Sequence, residues 1–242
     1  MEASMTEPSR LGATRFRAVI FDLDGTLVHT APDIHAATLV MLADLDRPLL
    51  SLEQVTSFVG HGVERLVVRC LEATGGHDAS ELRQARAIFN RAYSERPADF
   101  SRLNPGVLDL LRDLSLDGVR LGVCTNKPQA LTEALLGRTG IAPLMAAVVG
   151  GDVVALKPNP ASLLLCQSRL GSAYEACLFV GDSEVDGQTA EAAGVPFALF
   201  TGGYSQVPPE QIKAEARFDD FSVLSDLLRR ARRPRGDLYS MP

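Results

Sequence analysis

Asp22 and Asp24 stand two residues apart in FDLDGTL, and Asp182 and Asp186 stand four apart in VGDSEVD; Thr125-Asn126-Lys127 and Lys157-Pro158 lie between them. An extended chain sends residues i and i+2 to the same face, so Asp22 and Asp24 can reach one centre. Gly25 permits a sharp turn and close approach to a ligand. A carboxylate with an ordinary pKa of about 3.9 is ionised at neutral pH and needs no activating base, unlike Ser or Thr. Asp22 therefore reads as a nucleophile. Several carboxylates facing a phosphate dianion would repel it, so the cluster implies a hard cation between them. Oxygen donors without His or Cys favour Mg2+ over zinc. Lys157 and the Thr125 hydroxyl then hold phosphoryl oxygens, while Asp24 protonates the leaving alkoxide and later takes a proton from water. Hydrolysis of a phosphate monoester needs on the order of 20 kcal/mol of barrier lowering. Passing through an aspartyl phosphate divides that task into two easier steps.

Apolar runs must deliver these residues to one place. The run at 17–21 (RAVIF) reads as a buried strand that ends at Asp22. From 104 onward helices and strands alternate: a helix to about 115, a strand at 119–124, a helix at 129–137 and a strand at 146–149. A helix at 161–170, a strand at 176–180, a helix at 185–193 and a strand at 196–200 follow. That rhythm implies a parallel sheet covered on both faces, where ligands bind beyond the carboxyl ends of the strands. The expected fold class is α/β, a Rossmann-like parallel core with an all-α cap inserted after the first strand. The core takes 15–29 and 101–230, the helical cap 30–100, and loose arms are expected at 1–14 and 231–242. Within the cap, Thr30 with Asp33 and Ser51 with Gln54 have the spacing of capping boxes. Segments 63–71 and 82–93 carry helical periodicity.

Composition narrows the partners. A net charge of -6 argues against a nucleic-acid surface, which needs clustered Lys and Arg. No apolar run approaches the roughly 18 residues of a membrane span, and the polar, acidic start lacks a signal h-region. Cytoplasmic residence is the default expectation, as monomer or homodimer. Cys70, Cys124, Cys166 and Cys177 are scattered without a C-x-x-C pair and read as buried, reduced thiols. Ser183 lacks the G-x-S-x-G elbow of a serine hydrolase.

FDLDGTL, CTNKP at 124–128, KPNP at 157–160 and VGDSEVD at 180–186 together resemble the four motifs of the haloacid dehalogenase-like hydrolase superfamily. TAPDIHAA at 30–37, FVGHGVERLV at 58–67, NPGV at 104–107 and VVGGD at 148–152 are similar to segments of the bacterial phosphoglycolate phosphatases within it. The resemblance implies Asp22 as nucleophile, Asp24 as acid and base, and Thr125 and Lys157 as phosphate clamps, joined by Gly25, Thr26 and Asn126. It implies Asp182, Asp22 and the Asp24 carbonyl as Mg2+ ligands, with Asp186 supporting them from behind. The substrate implied is a small phosphorylated carboxylic acid, 2-phosphoglycolate. His61, Gly62 and Arg65 of the cap are the expected selectors of its leaving group, Arg being suited to a carboxylate. His29 stands where the family usually has an acid, and Asn104 where an aromatic is common. Phosphatases of sugar phosphates, pyrophosphate or nucleotides, a sugar-phosphate mutase, a dehalogenase and a phosphoacceptor signalling module are the alternatives. The signalling module would lack both the helical insert and an acid like Asp24.

Overall fold

The computed structural model describes residues 16–171 and 176–230; the arms expected at 1–14 and 231–242 lie outside the described residues. Strands buried on both faces are written as unbroken apolar runs. In β1 (Ala18–Phe21), Val19 and Phe21 pack into one core while Ala18 and Ile20 pack into another on the opposite face. Two short strands, β2 (Val28–His29) and β3 (Arg102–Leu103), pair antiparallel on either side of a helical layer. That layer comprises α1 (Ala31–Asp44), α2 (Leu52–Thr56), α3 (Val63–Ala73) and α4 (Ala79–Glu95). The chain then runs through α5 (Val107–Leu116), β4 (Arg120–Cys124), α6 (Gln129–Arg138), β5 (Met145–Val149) and α7 (Ala161–Arg169). It ends with β6 (Cys177–Gly181), α8 (Glu184–Ala193), β7 (Phe197–Phe200), β8 (Ala216–Phe218) and α9 (Phe221–Arg230).

The main sheet is parallel throughout, in the order β5-β4-β1-β6-β7-β8. Helices α5, α6 and α9 cover one face, and α7 and α8 the other. This is the α/β, Rossmann-like architecture the alternating elements imply. β1 lies between β4 and β6, so the chain crosses to opposite sides on leaving and re-entering its neighbourhood, which opens a crevice at the carboxyl ends. The helical layer has a core of its own, with Met41, Leu42, Val67, Leu71 and Phe89 at its centre; Leu131 of α6 joins it from the sheet side.

Two local readings met different outcomes. Ser51 and Gln54 do form a reciprocal capping box at the start of α2. Thr30 and Asp33 do not: the Thr30 hydroxyl makes no cap bond and is buried without a partner. The Asp33 carboxylate instead accepts from the backbone N–H groups of Asp99, Phe100 and Ser101 and from the Ser101 hydroxyl. A carboxylate at the third helical position can serve its own helix or a distant chain, and here four donors from the far side of the insert outweigh one local amide. Asp33 thereby ties the segment entering the helical layer to the segment leaving it. The four cysteines are buried and unpaired. No helix among the described residues is long and apolar enough to cross a membrane.

Candidate active site

Where β1 ends, the Asp22 N–H still donates to the Val180 carbonyl at 2.8 Å, holding Asp22 in line with the sheet. The chain then folds back, with Gly25 N–H on the Val28 carbonyl and Val28 N–H on the Leu23 carbonyl. Gly25 sits at φ +88°, and a Cβ there would stand 2.6 Å from an Asp182 oxygen, so only glycine fits. The turn lets Thr26 Oγ1 donate to Asp182 Oδ1 at 2.7 Å. The other Asp182 oxygen accepts from the Tyr204 N–H at 2.7 Å. Asn104 braces the same turn by donating to the carbonyls of Gly25 and Thr26 at 3.1 and 2.7 Å; an aromatic side chain would leave both without that donor.

Lys157 is the hub. Its Nζ lies 2.8 Å from Asp22 Oδ1 and 2.6 Å from Asp186 Oδ1. Its position depends on Asn126, whose amide accepts from the Lys157 N–H at 2.8 Å and donates to the Lys157 carbonyl at 3.0 Å. The Asn126 side chain, expected on phosphate, is thus the brace of the Lys157 loop; it also donates to the Gly60 carbonyl of the helical layer at 2.9 Å. Thr125 is buried and lines the cavity beside Asp22, its hydroxyl accepting from the Lys127 N–H at 3.2 Å.

Oxygens of Asp22, Asp182 and Asp186 lie within 4.8 Å of one another. Asp186, expected behind the ligands, therefore reaches the cluster itself. Both its oxygens already have donors, Oδ1 from Lys157 and Oδ2 from the Ser183 hydroxyl at 2.7 Å. Burial drives the Asp22 carboxyl up to about 7, with repulsion from Asp186 and Asp24 adding to it and Lys157 opposing. Burial, then Asp186 and Asp22, raises Asp182 well above the usual carboxylate range. Three buried carboxylates sharing one ammonium are short of positive charge, and an all-oxygen donor set suits a hard divalent cation.

Lys127, to which the sequence assigned no role, makes a second pair. Its buried Nζ lies 3.0 Å from Asp24 Oδ1 and 2.5 Å from the hydroxyl of Tyr93 in α4, and 4.5 Å from that ring's centre. Burial opposes its charge, but Asp24 and Tyr93 carry the ammonium above its ordinary value. The signal was present in CTNKP; its partner Tyr93, far away in the insert, was not readable.

Two cavities open between sheet and helical layer, and Asp22 and Asp24 line both. The first is walled by Gly62, Val63, Leu66 and Phe89; the second by His61, Arg69, Asp182, Glu184 and Tyr204. Arg65 is exposed and lines neither, whereas Arg69, one turn further along α3, faces the second. Tyr204 connects this wall to the insert: its hydroxyl accepts from the N–H groups of Thr30 and Ala31 and donates to His29 Nδ1 at 3.0 Å. His29 thus supplies an acceptor that fits this hydroxyl.

A family model described as haloacid dehalogenase-like hydrolase matches residues 16–194. The chain is 42% identical over 214 residues to a phosphoglycolate phosphatase of Cereibacter sphaeroides, covering 88% of this chain and 97% of that protein. It is 44% identical over 218 residues to the phosphoglycolate phosphatase of Rhodospirillum rubrum, covering 88% and 90%. A crystal structure described as a predicted phosphoglycolate phosphatase from Haemophilus somnus superposes with a TM-score of 0.84 at 32% identity, over 88% of this chain and 98% of that one. With a family model spanning most of its length and relatives above 40% identity along nearly all of theirs, the chain belongs to the haloacid dehalogenase-like hydrolases.

Proposed function

We propose that this chain is a Mg2+-dependent phosphatase that hydrolyses 2-phosphoglycolate to glycolate and phosphate. The observation that carries the reading is the juxtaposition of Asp22 with Lys157 and two further carboxylates at one crevice. The names of the relatives support the substrate.

Asp22 attacks phosphorus, and Asp24 gives a proton to the departing glycolate oxygen. Water then opens the aspartyl phosphate while Asp24 takes its proton back. Lys157 holds Asp22 against the phosphoryl group and offsets the negative charge there, with the Thr125 hydroxyl and the backbone of the Gly25-Thr26 turn on the remaining oxygens. Lys127 beside Asp24 balances that carboxylate's charge when it has lost its proton. Asp22, Asp182 and the Asp24 carbonyl would hold Mg2+, with Asp186 orienting them through Lys157. Bound, the ion would neutralise repulsion between these carboxylates and the phosphoryl oxygens. The helical segment 30–100 serves as the cap that shuts water out, and His61 and Gly62 face the leaving group. Cytoplasmic residence is supported by the four unpaired thiols.

A panel of phosphorylated metabolites, assayed for phosphate release with Mg2+, tests this directly. Many turnovers per chain with 2-phosphoglycolate ranking first in kcat/KM are expected. Sugar phosphates ranking well above it would refute the substrate, and a single labelling event per chain would indicate a phosphoacceptor module.

A further inference from the structure

Arg69 is half-buried and lines the second cavity together with Asp22 and Asp24. Its one hydrogen bond among the described residues is a long contact, 3.5 Å from Nη1 to the Ser57 carbonyl, at the limit of what counts as bonding. Among the described residues no acidic side chain pairs with it within 4.0 Å. Three arginines of the helical layer are matched, Arg47 with Glu81, Arg86 with Glu64 and Arg91 with Asp44, and of the others Arg69 is the one that lines a cavity with Asp22 and Asp24. A half-buried guanidinium whose donors face water and no carboxylate is free to give them to an anion that enters the cavity. Beside it, His61 Nδ1 is buried and has no partner either. Burial and then the nearby Arg69 lower the His61 pKa from its ordinary 6.5, so the ring is neutral at pH 7 and has one N–H to give.

We propose that Arg69, with His61 beside it, is the specificity-determining group that receives the carboxylate of the leaving group. This rests on the phosphatase reading above and corrects its cap assignment from Arg65 to Arg69. Side chains on a helix lean toward its N-terminus, so Arg69 reaches back over the first turn of α3 and into the crevice. Arg65, one turn nearer the start, leans past the helix end into water. Asp22, Asp24 and Arg69 line one cavity, so an ester with its phosphate at Asp22 extends its leaving group into the space that Arg69 borders. The guanidinium fork fits a carboxylate through two parallel bonds, which a neutral hydroxymethyl or methyl group cannot accept.

The test uses two pairs of substrates that differ in the carboxylate: 2-phosphoglycolate with ethyl phosphate, and 3-phosphoglycerate with glycerol 3-phosphate. Wild type should prefer 2-phosphoglycolate to ethyl phosphate. Arg69→Gln should lower kcat/KM for 2-phosphoglycolate by about 30–100-fold, mostly through KM, which is the effect of one or two charge-assisted hydrogen bonds. Turnover of ethyl phosphate should stay within about 3-fold, which also shows that the variant is folded, and Arg69→Lys should recover part of the loss. An equal loss on both members of a pair, or a selective loss in Arg65→Gln in place of Arg69→Gln, would overturn the proposal. Wild type preferring 3-phosphoglycerate, with that preference erased by Arg69→Gln, would refute 2-phosphoglycolate as substrate yet uphold Arg69. No preference for either carboxylate ester would refute both.

Discussion

The sheet edge and the helical layer face the same substrate cavity with opposite electrostatic designs. At the sheet edge the buried charges are held by fixed partners: Lys157 by Asp22 and Asp186, Lys127 by Asp24, and Asp182 by the neutral donors of Thr26 and Tyr204. Charges locked in this way have one geometry, which suits a reaction step that must be the same for every phosphate ester. The helical layer offers apolar walls, a neutral His61 and Arg69, with which no acidic side chain among the described residues pairs. In the proposed function those groups are completed by the leaving group, which assigns reaction class to the core and selectivity to the insert.

The division breaks most visibly if a core charge proves dispensable. Asp22→Asn should reduce kcat on 2-phosphoglycolate by about 10,000-fold or more with the fold intact, in steady-state phosphate release. A loss below about 100-fold would mean that Asp22 is not the attacking group. Lys157→Met leaves Asp22 and Asp186 buried without their cation. Breaking one partner of such a pair costs about 3–5 kcal/mol, which urea denaturation would register; a cost under 1 kcal/mol would show that the core charges are not interdependent.

Smaller effects sharpen the boundary between the two regions. Asp33→Asn removes a charged acceptor from the backbone of 99–101 and should cost about 1.5–3 kcal/mol. Hydrogen exchange at Asp99, Phe100 and Ser101 should quicken while the sheet amides stay protected. Uniform quickening would mean that insert and core open together. Asp22 also gives the metal-free protein a pH signature. Its folded pKa of about 7 lies above its unfolded value of 3.8, so the folded state holds that proton more tightly. Its contribution is present at low pH and is lost as pH rises through about 7. In chelator, thermal stability attributable to Asp22 should therefore fall between about pH 4 and 7 and level off above, the Asp22→Asn variant should show a flatter profile, and Mg2+ should restore stability at pH 8. Identical profiles for the two proteins would contradict the assignment. Tyr93→Phe removes only a hydroxyl from Lys127 and should change kcat by 2- to 10-fold; no change would mean that the insert does not communicate with Asp24 through this contact.

Legibility in the sequence followed the same division. The sheet's central strands are buried on both faces, so each appears as an uninterrupted apolar run, and a polar residue at its end marks the crevice. Asp22, Thr125 and Asp182 directly follow β1, β4 and β6 and were readable for that reason, whereas Lys157 lies in the loop after the edge strand β5 and was readable only as part of KPNP. The strands β2, β3 and β8 are two or three residues long and leave no such run. Thr30 and Asp33 had the spacing of a cap, but nothing local reveals that the amides of 99–101 stand closer. Arg65 and Arg69 share one helical stripe, and only the packing of α3 over the crevice separates the exposed one from the one in the cavity. Lys127 was visible and its partner in α4 was not, because long-range pairing has no signature in either segment.

The central claim is that Asp22 is phosphorylated during each turnover. Acid quenching of Asp24→Asn protein mixed with 32P-labelled 2-phosphoglycolate and Mg2+, followed by peptide mapping, tests it most directly. The account predicts hydroxylamine-sensitive label on the peptide carrying Asp22, formed slowly because the first step has lost its acid and retained because the second has lost its base. Product formed with no label on that peptide, or label on another side chain, would contradict it.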